Sequence, residues 1–97
     1  MIGTANQIQW AEQIRPRVDA EFQRVETAFR SAAAKQAPTN REDTLAIVAI
    51  VEEKRAEVMA HDHAGYFIRN WQELTDQVRQ MIAADQRYKN IRTRQNK

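Results

Sequence analysis

Along the first third of the chain the hydrophobic positions recur every three or four residues. Ile8, Ala11, Val18, Phe22, Val25, Phe29 and Ala32 fall on one stripe, the period of a helix with one buried face. Thr4-Ala5-Asn6-Gln7 stands before it with capping-box spacing, Thr4 as N-cap and Gln7 reaching back. Met1 to Gly3 are expected to fray. Pro16 interrupts the pattern. Inside a helix, proline removes a backbone hydrogen bond and crowds the preceding turn, at a cost of ~3 kcal/mol. The pattern therefore predicts a long first helix, kinked near residues 12–16 or restarted at Pro16, that ends by Gln36.

Pro38-Thr39-Asn40 is the clearest break. Thr39 and Glu42 repeat the capping-box spacing, and a second helix is predicted from about Arg41 to Ala60. Its first half, Leu45 to Val51, is apolar on every face. A helix of that kind must be covered on all sides. His61-Asp62-His63 reads as a junction, with Asp62 as the next N-cap. Ala64 to Trp71 is short and aromatic-rich, either one or two helical turns or extended around Tyr66-Phe67-Ile68. Asn70 is expected to cap a fourth helix, from Trp71 to Ala84, with Leu74, Val78, Met81 and Ile82 inward. Asp85 is expected to cap a last one with Tyr88 and Ile91 on its apolar side. Residues from about 93 to 97 read as a disordered basic tail.

Composition supports this reading. The 97 residues include fifteen alanines and ten glutamines, but only two glycines and two prolines. Good helix formers dominate, and the turn residues that a sheet needs are scarce. The expected fold is all-α: one domain over residues 1–97, a small bundle of three to five helices with a long, Pro-kinked first helix. There is no cysteine, which excludes disulfides, thiolate metal sites and a cysteine nucleophile. No apolar run approaches the roughly 18 residues of a membrane span, and no charged-then-apolar leader is visible. The expected location is cytoplasmic.

Length adds a constraint. A first helix from Ala5 to Gln36 would span about 48 Å at 1.5 Å per residue, against a radius of gyration of about 13 Å for a compact chain of this size. Such a helix must bend or project. The projecting form predicts a homo-oligomer whose seam is Val18, Phe22, Val25 and Phe29.

The net charge of +2 hides an asymmetry. Arg87, Lys89, Arg92, Arg94 and Lys97 follow Gln86 with no acid among them, which leaves −3 on the body and +5 on the tail. With Tyr88 interleaved, Arg87, Tyr88, Lys89, Arg92 and Arg94 are candidate nucleic-acid contacts through phosphate neutralisation and stacking. Tryptophan, tyrosine and arginine are the residues most often found as interface hot spots. Trp10, Tyr66, Arg69 and Trp71 are accordingly the candidate partner-binding surface.

Catalytic chemistry has little support. Ser31 is the only serine, and neither a glycine-rich phosphate loop nor an H-E-x-x-H pattern occurs. The adjacent Glu52 and Glu53 point about 100° apart on a helix. His61 and His63 are the only histidines, short of the three or four ligands that a zinc site needs. No catalytic residue, metal site or cofactor is assigned.

Gln7 to Arg15, reading Q-I-Q-W-A-E-Q-I-R, resembles the opening of a group of small uncharacterised proteins from bacteria and their mobile elements. Their pattern is Q-I-x-W-A-E-x-I-R with a later aromatic-Ile segment, here Tyr66 to Trp71. The resemblance implies no activity; it implies a phage or plasmid origin and a role exerted by binding a host protein. The expectation is thus a non-enzymatic, self-associating protein-interaction module. The alternative is a nucleic-acid-associated protein that uses the basic C-terminal segment.

Overall fold

A computed structural model describes residues 1–95. The chain forms five helices: α1 Ala5–Ala33, α2 Pro38–Met59, α3 Ala64–Asn70, α4 Leu74–Ala83 and α5 Gln86–Gln95. The all-α bundle expected from composition is the architecture observed.

The start of α1 follows its sequence signal. The Thr4 hydroxyl accepts the Gln7 N–H at 3.2 Å, and the Gln7 side chain accepts the Thr4 N–H at 3.0 Å. The restart expected at Pro16 does not occur: α1 runs unbroken for 29 residues with Pro16 inside it. Pro16 lies on the exposed side, where water can take the carbonyl left without a partner. Ala11, Val18 and Phe22 are wholly buried on the core side. Burial worth about 1.5–3 kcal/mol for each large side chain offsets the proline's cost.

The N-terminal residues do not fray as expected. The Ile2 N–H donates to the Asp62 carbonyl, and the Ala64 N–H donates to the Ile2 carbonyl at 2.8 Å. Gly3 makes this possible. Its φ is +151°, and a Cβ there would lie 3.0 Å from the Ala64 Cβ, so a side chain would meet both backbone strain and a close neighbour.

α2 returns antiparallel to α1. Arg15 of α1 donates to the Met59 carbonyl at the end of α2 at 2.9 Å. Arg41 of α2 donates to the Ala33 and Gln36 carbonyls at the end of α1, at 3.2 and 3.1 Å. Each long helix thereby supplies donors to the orphan carbonyls of the other. The start of α2 differs from the expected one. Pro38 occupies the first turn, behind an Ala37 N-cap that makes no side-chain hydrogen bond. Proline suits that position because the missing N–H would have had no partner there. Within one chain, α2 is covered over only part of its surface. Ile47, Val48, Ile50 and Val51 are buried, but Leu45 is 45% exposed and the small Ala46 and Ala49 face solvent.

The segment around Tyr66 is helical, as α3, and His63 rather than Asp62 takes its N-cap position. Asn70 does not cap α4. It ends α3 and donates back to the Tyr66 carbonyl at 3.0 Å. Gln77 bridges the turn, donating to the Asn70 carbonyl and accepting the Glu73 N–H at 3.0 Å. Asp85 does begin α5, accepting the Arg87 N–H at 2.8 Å.

α5 lies antiparallel along α2. Lys54 pairs with Asp85 at 3.1 Å, Arg87 with Glu53 at 2.8 Å and Arg94 with Asp43 at 2.9 Å. The disordered tail expected from about residue 93 is instead helical to Gln95, whose amide donates to the Thr44 hydroxyl at 3.1 Å. Lys97 lies outside the described residues.

The expected oligomer seam is largely interior. Val18 and Phe22 have no exposed surface, and the Phe22 ring meets Trp71 edge-on with centroids 6.0 Å apart. These two side chains pack within one chain and cannot touch a second copy. Val25 and Phe29 are half-buried against the same core. Phe22→Ala is therefore expected to destabilise the monomer by about 3–5 kcal/mol without altering its mass. Chemical denaturation with sedimentation analysis checks this; a change of oligomeric state at unchanged stability would restore the seam.

Candidate functional site

The long α1 helix presents Trp10, Ile14 and Arg17 in line, spaced four and three residues apart, so they share one face. Trp10 is 57% exposed. Ile14 is half-buried and Arg17 exposed, and both line a groove of about 400 Å³ whose other wall runs from Trp71 to Asp76. Among the described residues Arg17 makes no ion pair or side-chain hydrogen bond, whereas Glu73 and Asp76 stand across the groove from it. The surface thus offers an apolar ring, an uncommitted guanidinium and a rim of both signs.

The four residues expected to form one partner surface do not remain together. Trp71 is 5% exposed and belongs to the core, wedged between Phe22 and Tyr66. Its indole N–H is buried with no hydrogen-bond partner. Tyr66 is half-buried, stacked flat on His61 with centroids 3.6 Å apart. Arg69 is exposed, but its guanidinium lies over Gly65, where a Cβ would come within 2.8 Å of it. Only Trp10 is both large and open.

The basic segment is more committed than its sequence suggests. Arg87 is held by Asp85 and Glu53, and Arg94 by Asp43. Hydrogen bonds from Arg87, with further ones from Lys54, hold the Asp85 carboxyl far below the usual carboxylate range. Tyr88 is half-buried, while Lys89 and Arg92 are exposed and pair with no carboxylate among the described residues. The five candidate nucleic-acid residues therefore include two cations whose charge is already matched within the fold.

Among the described residues no group of three potential metal ligands assembles. His63 Nδ1 lies 2.9 Å from an Asp62 carboxylate oxygen, and His61 is the ring stacked on Tyr66. Ser31 is exposed on α1, away from either histidine's partners.

One residue passed over in the sequence is Glu26, 4% exposed at the interface of α1 and α2. Its position was legible. It lies one turn beyond Phe22 and two turns before Ala33, which is buried where the expected stripe had the exposed Ala32. Arg30 approaches it only to 3.8 Å. The other nearby cation, Arg55, is engaged by Asp19 and Glu52. Burial, and then the adjacent Glu52 carboxyl, push the Glu26 carboxyl above its usual range, against the weaker pull of Arg30 and Arg55.

Comparison with protein-family models, with curated proteins and with solved structures finds no match in any of the three. The functional reading rests on the chain's own geometry.

Glu26 yields a pH prediction. The folded state holds the proton more tightly than the unfolded chain. The contribution of this group is full below the usual carboxylate range and is lost as pH rises through its raised pKa. Glu26→Gln keeps the neutral form at every pH. Its melting temperature should exceed that of the wild type near neutral pH, and the difference should close on acidification. Thermal melts of both proteins between about pH 4 and 8 decide it; a pH-independent difference would contradict the assignment.

Proposed function

We propose that the chain acts by binding another protein, and that Trp10 with the adjoining Ile14 and Arg17 forms the contact. The observation that carries this reading is the exposure of Trp10, 57% open on a continuous helix. A lone exposed leucine such as Leu45 needs no explanation. A tryptophan beside a groove and an uncommitted arginine has the composition of an interface hot spot. Covering Trp10 would remove on the order of 100 Å² of apolar surface, about 2–3 kcal/mol. The helix holds the ring in place beforehand, so little order has to be created on binding.

This surface replaces the one expected from the sequence. Trp71 supports it from beneath, as part of the groove wall. Because Val18 and Phe22 are buried within the chain, the reading does not require self-association.

The test separates binding from folding. Trp10→Ala removes an exposed side chain and should leave stability within about 0.5 kcal/mol. It should weaken partner binding by roughly 30-fold, the effect of a hot-spot truncation of about 2 kcal/mol. Affinity capture from bacterial lysate with the wild type, Trp10→Ala and a Lys89→Ala control reads this directly. Proteins retained by the wild type and the control but lost with Trp10→Ala support the proposal. An identical set from all three overturns it.

A further inference from the structure

Side chains of α1, α4 and α5 line a half-open pocket of about 180 Å³. Its apolar lining is Val25 and Phe29 from α1, Ile82 from α4 and Tyr88 from α5. Arg24 from α1 and Arg79 from α4 also line it, and no carboxylate does. The half of the α1 stripe that is only partly buried, Val25 and Phe29, therefore faces a pocket in its own fold.

The two arginines differ in commitment. Arg24 is held by Glu21 through Nε at 3.1 Å and through Nη2, which orients its plane and leaves Nη1 unused. Arg79 approaches Asp76 only to 3.9 Å, with both side chains more than half exposed, and makes no hydrogen bond among the described residues. A pair so long and so solvated contributes little. An incoming carboxylate can take the Arg79 fork in its place, with the geometry that guanidinium favours.

Size and charge together select the occupant. A dry cavity of about 150 Å³ accepts one benzene ring. A ring-sized apolar body would cover Phe29, Ile82 and the Tyr88 ring, while its anionic group would lie at the rim between the guanidiniums. We propose that this pocket binds a small carboxylic acid with a ring-sized apolar body, of the arylalkanoic type, with Arg79 as the carboxylate anchor. This site is independent of the Trp10 surface.

The probe is 3-phenylpropionate, titrated into the full-length isotope-labelled protein and followed by amide and side-chain NMR shifts. The uncharged 3-phenylpropanamide, phenylacetate and 4-methylpentanoate are run beside it. Saturable shifts confined to Phe29, Thr75, Arg79, Ile82 and Tyr88 are expected, with a Kd of roughly 10 μM–1 mM for a ligand of this size. The amide and the Arg79→Gln variant should each weaken binding at least ~10-fold. Arg79 is exposed, so its replacement leaves the fold intact, and Trp10→Ala should bind the acid unchanged. The proposal is overturned by any of three results: none of the acids saturating by about 10 mM, shifts that map elsewhere, or an affinity indifferent to both the amide and Arg79→Gln. A peptide ending in phenylalanine that binds more tightly than every free acid would likewise overturn it, in favour of a protein C-terminus.

Discussion

Everything in this fold answers to one constraint, the covering of a helix too long for a compact globule. At 1.5 Å per residue, the 29 residues of α1 span about 43 Å. No single neighbour of ordinary length can bury that stripe. α2 covers one flank as the antiparallel arm, and α3 and α4 cover the other in succession. The result is a body of 50 × 22 × 19 Å with a radius of gyration of 15.5 Å, above the roughly 12.5 Å of a compact chain of this length. The elongation is how one chain accommodates the long helix. Phe22 fixes the join: wholly buried, it takes Trp71 edge-on and so brings the end of α3 back onto the middle of α1.

The parts of the fold legible in the sequence are those decided locally. The Thr4–Gln7 box forms as spaced, Asp85 starts α5, and Ala11, Val18 and Phe22 are buried as their period requires. The misreadings arise where distant contacts decide. Pro16 weighs heavily in a helix read alone, yet the buried face behind it carries α1 past it without a break. The first residues look unconstrained until the Asp62 carbonyl and the Ala64 N–H are found beside Ile2. Thr39 has the spacing of a cap, but Pro38 already satisfies the start of α2. Periodicity shows that Val18 and Phe22 must be covered; it does not say by what. Two of the four residues expected at a seam between copies, Val18 and Phe22, are instead core.

The candidate surfaces divide in the same way. Trp10 lies off the buried stripe, and its exposure follows from that position. Trp71 carries no such signal, because only the turn after α3 folds its ring inward. The cavity beneath Arg24 and Arg79 draws side chains from three helices, so no stretch of sequence displays it. Glu26 is the reverse case. Its inward position could be read from spacing, but a carboxyl so placed is easily counted as one more surface charge.

Charge placed on α5 illustrates why a formal sum misleads. The segment reads as +5, yet Asp43, Glu53 and Asp85 each hold one of its arginines. Exposed pairs of this kind contribute about 0–1 kcal/mol apiece, too little to hold a helix. The buried Ile91 supplies the hydrophobic anchor, and the ion pairs set where along α2 that anchor docks. A register shift of one turn would break the Arg94–Asp43 and Arg87–Glu53 pairs. The same commitment changes what α5 can offer a polyanion. Phosphate-driven affinity scales with the number of cations free to displace counterions. Arg87 and Arg94 could join only by abandoning carboxylates that would then repel the ligand. Of the arginines and lysines in α5, that leaves Lys89 and Arg92 as its free positive charge.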